Sequence, residues 1–204
     1  MPWGDFTNFV KECEVVKQTY KYSISSSIVR GLLDDYQLDN DEYSSIYKFF
    51  VTYSLGEKQS LKGRSLATYG WEGDYARNGL KEQLKGVIDL YDDSIAYFAG
   101  DQDAEGTFKR ACERFLLTNE IKDLSRERVA VSNTYGTNNY LRLFYRIRDG
   151  FAHGKFVLKY NEQREKVVII EDDNTYNVTA RMVIKLDTLK QLIRVIDRNE
   201  ILKL

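Results

Sequence analysis

The sequence predicts a mainly α-helical bundle that forms one domain over residues 1–204, and three observations point to it. The chain has a single proline, Pro2, so no later residue breaks a helix through its ring geometry. Apolar residues recur at spacings of three and four over long stretches, which is the period of an amphipathic helix. The composition, 43% hydrophobic and 30% charged, is typical of a globular domain.

The first part of the chain carries most of this helical period. We expect a helix over residues 6–36. The acidic cluster at 39–42 predicts an N-cap, followed by a helix that ends near Leu55. Four glycines within 63–79 indicate a glycine-rich loop or insertion. Three further helices are predicted over residues 80–98, 104–117 and 121–131.

Residues 155–184 predict a β-rich segment instead. The runs 156–160 and 166–171 are β-prone and are separated by four polar residues, which indicates a hairpin. A third strand or extended segment is expected at about 176–184. The bundle should therefore carry a small β-hairpin or three-stranded sheet.

Two amphipathic helices flank this β-rich segment. Residues 139–153 predict the helix that precedes it, and Gly154 follows at the position where a glycine commonly ends a helix. Asp187 is expected to cap a C-terminal helix. The apolar face of that last helix consists of Leu189, Leu192, Ile193 and Ile196.

Composition also bounds the function. The 30 basic and 31 acidic side chains give a net charge of -1, so the total charge gives no argument for nucleic-acid affinity, although a local basic face is allowed. Two distant cysteines and one histidine cannot supply the four ligands of a structural zinc site, and we expect neither a metal nor a cofactor. No secretory signal and no membrane-length apolar run is visible, so the expected location is the cytoplasm.

The helix over 139–153 gathers charge on one side. At about 100° per residue, the stripe expected to face the core consists of Tyr140, Phe144, Ile147 and Phe151. The opposite side carries Arg142, Arg146, Asp149 and His153. Arg148 lies near the boundary, some 70° from the centre of the apolar stripe.

This polar side suggests chemistry on a phosphodiester. The histidine would lie at the helix C-terminus, where the helix dipole favours a cation, and a protonated imidazole can act as a general acid. Arginine holds phosphate oxygens in two-point contact and can stabilise the charge of a pentavalent transition state. Such a pair is sufficient, in principle, for cleavage of RNA through attack by the 2′-hydroxyl.

The segment Arg148-Asp149-Gly150-Phe151-Ala152-His153-Gly154 resembles the signature of the HEPN superfamily: an arginine, a polar residue, a few mixed residues, and a histidine followed by glycine. The resemblance covers residues 138–160. It implies a helical bundle and a metal-independent endoribonuclease of the toxin–antitoxin or phage-defence kind. It implies that Arg148 and His153 are catalytic and that Asp149 supports them.

Two positions depart from the family pattern. Asp149 stands where asparagine is more common, and an acidic group near the phosphate would repel it. Lys155 stands where one subgroup of toxins has a tyrosine that a partner nucleotidyltransferase modifies, so that mode of neutralisation is not expected. We expect Arg142, Arg146 and Lys155 to contact RNA.

The spacing of the catalytic pair also predicts an assembly. Five positions along a straight helix separate two side chains by about 140°, so Arg148 and His153 do not converge within one copy. A homodimer would bring two such pairs together, whereas a kink at Gly150 is the alternative. A protein antitoxin or regulator is a further expected partner.

Two other readings remain open at this point. One is a non-catalytic HEPN module that binds RNA, a nucleotide or a protein partner. The other is an unrelated helical protein in which the motif occurs by chance. A nucleophilic or metal-dependent hydrolase is poorly supported, because no nucleophile elbow is present and the paired aspartates lack further ligands.

Overall fold

A mixed five-stranded β-sheet is the centre of the fold. The computed structural model describes residues 27–55, 65–71, 79–99, 106–118, 120–132, 138–173 and 177–198. The strands are β1 (Ala96–Phe98), β2 (Arg128–Val131), β3 (Phe156–Tyr160), β4 (Lys166–Asp173) and β5 (Val178–Lys185). Their order across the sheet is β1-β2-β5-β4-β3. β1 is parallel to β2, and the other neighbouring strands are antiparallel.

Helices cover both faces of this sheet. In the described residues they are α1 (Asn40–Ile46), a π-helical segment that continues it (Tyr47–Thr52), α2 (Leu80–Val87), α3 (Thr107–Arg114), α4 (Asn139–Ala152) and α5 (Leu186–Ile196). The π-helical segment, α2, α4 and α5 pack on one face of the sheet. The opposite face is covered by α3 and by the 3₁₀ turn Val29–Gly31.

The fold is therefore α/β, and the prediction of a mainly α-helical, HEPN-like bundle is wrong. The error arose at two segments, 80–98 and 121–131, that were predicted as helices but end in β1 and β2. These strands have only three and four residues. So short a run shows no clear alternation, and its conformation is set by pairing with β2 and β5 rather than by local preference.

The buried residues of β4 show why the sheet has two covered faces. Val168 and Ile170 face the cluster that contains α4, whereas Val167 and Ile169 face the cluster that contains α3. Successive side chains of a strand point to opposite faces, and a strand that is buried on both faces is a continuous apolar run. The sequence of β4 thus dictates a layer of helices on each side.

Several local predictions are confirmed. Asp39 begins α1 with a capping box, in which its carboxylate accepts from the Glu42 N–H at 2.8 Å. The hairpin of β3 and β4 and the third strand β5 are present. The predicted apolar side of α5 is fully buried. The prediction that Asp187 caps α5 is wrong, because the N-cap residue is Lys185 and Asp187 lies in the first turn of the helix.

Other predictions on the first half of the chain have mixed outcomes. Residues 27–36 form a 3₁₀ turn and a loop, so the helix predicted over 6–36 is wrong there, and residues 6–26 lie outside the described part. Within the loop predicted over 63–79, the described residues form turns that bury Tyr69 and Trp71 in the core. None of the helices in the described ranges combines the length and the hydropathy needed to cross a membrane.

Candidate functional site

Helix α4 holds the residues that the sequence singles out, and its local sequence determines where it begins and ends. The Asn138 side chain caps it by accepting from the Tyr140 N–H at 3.0 Å. The Tyr140 hydroxyl donates to the Ile88 carbonyl oxygen at 2.9 Å. Phe144, Ile147 and Phe151 of its apolar stripe are buried against the sheet and the π-helical segment, as predicted.

The C-terminus of α4 is a Schellman motif, which fixes the backbone of His153. Gly154 has a φ of 65°, the left-handed conformation that glycine adopts without strain. Its N–H donates to the Phe151 carbonyl oxygen at 3.3 Å, and the Lys155 N–H donates to the Gly150 carbonyl oxygen at 2.8 Å. The prediction that Gly154 ends this helix is confirmed, and His153 becomes the C-cap residue.

Gly150 allows α4 to approach the sheet closely. α4 runs through Gly150 as one uninterrupted helix, and the alternative of a kink at this residue stays a prediction. A Cβ atom here would clash with Ile170 Cγ2 and would lie 3.3 Å from the Glu171 carbonyl oxygen. Two glycines of the segment Arg148–Gly154, called the motif-like segment below, therefore have structural functions. Gly150 allows the helix–sheet contact, and Gly154 ends the helix.

Arg146 is engaged with the sheet. Its Nη1 donates to Asp172 Oδ2 at 2.5 Å and to Thr179 Oγ1 at 3.1 Å, and its Nη2 donates to the Ser132 carbonyl oxygen at 3.3 Å. Burial raises the pKa of the Asp172 carboxyl, and the guanidinium of Arg146 opposes that rise. This arginine links α4 to β4, β5 and the end of β2. Binding of RNA by Arg146 would have to break these hydrogen bonds.

Lys155 and Arg142 occupy different surroundings. The Lys155 ammonium forms an ion pair with Asp173 at the end of β4. Arg142 is half-buried and donates to Asn139 Oδ1 at 3.4 Å on its own helix. The expected RNA contacts of Arg142, Arg146 and Lys155 stay predictions, with Arg146 the least accessible of them.

The predicted catalytic pair, Arg148 and His153, and the supporting Asp149 lie at the C-terminal end of α4. Arg148 forms an ion pair with Asp149, and their side chains are 26% and 23% exposed. His153 is exposed, and no described residue forms a hydrogen bond with its imidazole. Because α4 is uninterrupted, Arg148 and His153 project about 140° apart around its axis.

The structure also shows residues that sequence reasoning missed. The sequence pattern assigns no partner to the adjacent Asp172 and Asp173, yet they form ion pairs with Arg146 and Lys155. A signal was present, because two adjacent acids at the end of an apolar β-run must be solvated or paired. Pairing them with α4 required the tertiary position of that helix, which the sequence pattern does not contain.

Among the described residues, no group of three or more histidine, cysteine, aspartate or glutamate side chains is arranged to hold a metal ion. Cys112 is buried in the cluster beneath α3, and Cys13 lies outside the described part. Comparison with known proteins found no matching family model, no similar curated protein and no similar solved structure.

Proposed function

We propose that the protein is a metal-independent endoribonuclease whose site lies at the C-terminal end of α4 and is completed by a second copy of the chain. The observation that carries this proposal is the division of the motif-like segment into two parts. Gly150, Phe151 and Gly154 are used by the fold. The groups with chemistry, on Arg148, Asp149 and His153, are left at the surface.

The reaction follows from these groups. The 2′-hydroxyl of one nucleotide attacks the adjacent phosphorus and loses its proton to a base, while an acid protonates the departing 5′-oxygen. The products are a 2′,3′-cyclic phosphate and a 5′-hydroxyl. His153 transfers protons, and the Arg148 guanidinium stabilises the negative charge on the phosphoryl oxygens in the transition state.

The need for a second copy comes from the geometry of α4. Arg148 and His153 of one copy project about 140° apart, so one phosphodiester cannot contact both. A two-fold axis near the helix end would place His153 of one copy beside Arg148 of its partner.

The free edge of β3 is not available for this pairing. The Leu158 N–H donates to Asp34 Oδ1 at 2.8 Å, the Tyr160 N–H donates to Asp35 Oδ2 at 3.2 Å, and the Asp35 N–H donates to the Leu158 carbonyl oxygen at 2.7 Å. Three of the outward-facing backbone groups of β3 are therefore occupied within the chain, which hinders pairing of this edge with a strand of another copy.

The test is cleavage of labelled RNA in EDTA by the wild type and by the Arg148→Ala and His153→Ala variants. Arg194→Ala is the matched control, because Arg194 is an exposed arginine on α5. We expect the wild type and the control to produce 2′,3′-cyclic phosphate ends and the two site variants to be inactive. Equal cleavage by all four proteins, cleavage by none, or a monomeric mass for an active enzyme would each contradict the proposal.

A second candidate function is supported by one contact. The carboxylate of Asp149 occupies the guanidinium of Arg148, and a neutralised arginine stabilises a transition state poorly. The chain would then be a module that binds RNA, a nucleotide or a protein without cleaving it. Binding of RNA with no product in the same assay would select this candidate.

The biological setting belongs to the same proposal. An endoribonuclease of this size fits a toxin or phage-defence effector, held inactive by a protein antitoxin or regulator. Its two sparse cysteines, one of them buried, suit the reducing cytoplasm where its RNA substrates are.

A further inference from the structure

A stacked pair of tyrosines leads from the last turn of α4 to the surface. The Tyr47 hydroxyl donates to the Phe151 carbonyl oxygen at 3.3 Å, and the two rings meet edge to face with centroids 5.7 Å apart. The Tyr43 ring stacks on Tyr47 with centroids 4.2 Å apart and planes inclined by 24°. Tyr43 is 52% exposed. The rings of Phe151, Tyr47 and Tyr43 therefore form a continuous series. It starts at Phe151, two residues before His153, and ends at the solvent-exposed ring of Tyr43.

The fold makes little use of the Tyr43 ring. The buried residues Ile46, Phe49 and Phe50 hold α1 and the π-helical segment in the core. The other large exposed aromatic ring in the described residues is that of Tyr91, and it is covered by the Lys81 ammonium at 4.4 Å from its centroid. Tyr43 thus presents an open ring supported from behind by a second ring.

The acidic groups next to this ring are largely engaged elsewhere. Asp39 is engaged in capping α1, and Glu42 is buried and accepts from the Lys166 ammonium at 2.9 Å. Asp41 is exposed, but it lies two positions before Tyr43 and about 160° around α1 from it. An exposed aromatic ring is a stacking surface for single-stranded nucleic acid, since every base has a π-face.

We infer that Tyr43, supported by Tyr47, stacks on a base of single-stranded RNA and positions the strand at the end of α4. The inference rests on the proposed function, because the occupant is the RNA substrate of that site. It adds a binding residue outside the motif-like segment. It also predicts tolerance of base identity, because stacking does not read hydrogen-bonding edges.

The experiment measures binding in the full-length His153→Ala protein, in which cleavage cannot consume the probe. Fluorescence anisotropy follows a short fluorescein-labelled oligoadenylate, and an oligomer of abasic nucleotides of equal length serves as the second probe. Tyr43→Ala should weaken oligoadenylate binding by about 5- to 150-fold, the range for loss of one base–aromatic stack. Tyr43→Leu should weaken it similarly while keeping apolar bulk against Tyr47, and Tyr43→Phe should bind like the parent.

Matched controls separate stacking from general surface effects. Tyr91→Ala removes a similarly exposed ring far along the sequence and should leave the affinity unchanged. The abasic oligomer should bind weakly and equally to the parent and to Tyr43→Ala. Unchanged oligoadenylate affinity in Tyr43→Ala, an equal loss in Tyr91→Ala, or a loss of abasic binding equal to that of oligoadenylate would overturn the inference.

The outcomes also separate this inference from the proposed nuclease. If RNA binding depends on Tyr43 but the wild type never cleaves RNA, the stacking site is supported and the catalytic proposal is contradicted. If cleavage depends on His153 but the affinity for RNA is unchanged in Tyr43→Ala, the nuclease proposal is supported and the stacking site is contradicted. A protein that binds no RNA at all removes both.

Discussion

Charged residues in two regions of this molecule differ in how deeply they are buried. Along β4 and β5, opposite charges meet in the interior, where Glu171 and Arg181 form an ion pair with both side chains inaccessible to solvent. At the C-terminal end of α4, Arg148 and Asp149 pair at the surface and His153 stands exposed. The first group holds the fold together, whereas the second is the group that the proposed function assigns to RNA. Residue type alone does not distinguish them, but burial does.

The largest expected effect is on the buried pair. Arg181 Nε donates to Glu171 Oε2 at 2.9 Å, and its Nη1 donates to the carbonyl oxygens of Leu117 and Thr118 at 3.1 and 2.9 Å. Arg181→Ala leaves Glu171 buried without its cation and should lower the free energy of unfolding by about 3–5 kcal/mol. Urea denaturation measures this loss. A loss as small as that of the exposed control Arg194→Ala would show that the interior charges are not structural.

The next effect concerns the partly buried pair of Arg146 with Asp172. Arg146→Ala should lower the free energy of unfolding by about 1.5–3 kcal/mol near neutral pH, the range for a hydrogen bond to a charged group. Burial raises the pKa of Asp172, and Arg146 opposes that rise, so the pKa rises further in the variant. A carboxyl with a raised folded-state pKa stabilises the fold when it is protonated and loses that contribution as the pH rises through the pKa.

The deficit of Arg146→Ala relative to wild type should therefore shrink as the pH falls, because a protonated Asp172 needs no cation. Urea denaturation at neutral pH and at about pH 4 measures the change. The double variant Arg146→Ala/Asp172→Asn should recover part of the stability at neutral pH. A deficit that stays constant or grows on acidification would contradict the structural function assigned to this arginine.

A smaller effect tests the close approach of α4 to the sheet. Gly150→Ala adds a methyl group against Ile170 Cγ2 and should lower the free energy of unfolding by about 1–3 kcal/mol. Gly86→Ala is the matched control, because its Cβ on α2 would meet no atom within 4 Å. That control should instead stabilise the protein by about 0.5–1 kcal/mol, the helical preference of alanine over glycine. Similar changes in both variants would mean that α4 does not need this glycine.

The smallest effect on stability comes from the exposed region. Asp149→Asn removes the carboxylate beside Arg148 and should change the free energy of unfolding by no more than about 0.5 kcal/mol. It should raise RNA cleavage about 1.4- to fivefold, because releasing a surface ion pair worth about 0.2–1 kcal/mol makes the guanidinium available to phosphate. Cleavage rates of the two purified proteins provide the measurement. A fall in rate would mean that Asp149 assists the reaction rather than restraining Arg148.

The local features of the fold were predictable from sequence where a single element determines them. The Asp39 capping box, the amphipathic faces of α4 and α5, the hairpin of β3 and β4 and the glycine end of α4 all depend on neighbours within a few positions. Chain-local rules describe such features well.

The fold class was not predictable in this way. β1 and β2 are short and lie at one side of the sheet, where β2 pairs with β5 and β1 pairs with β2. Their apolar residues fit helical spacing equally well, so the sequence pattern favoured helices and hence a bundle.

The candidate site was likewise predictable only in its local features. Sequence placed Arg148, Asp149 and His153 on a polar side of one helix, and the structure leaves them at the surface of its end. Arg146 has the same residue type on the same helix but is bound to Asp172, 26 positions along the chain. Which charges remain available depends on that distant contact, and a helical wheel does not include it.

The most direct test of this account measures cleavage and stability together in His153→Ala. Because the imidazole is exposed and forms no hydrogen bond with a described residue, the free energy of unfolding should change by no more than about 0.5 kcal/mol. RNA cleavage in EDTA should fall by about 100-fold or more, the contribution of general acid–base catalysis. Undiminished cleavage by a well-folded His153→Ala protein would contradict the account.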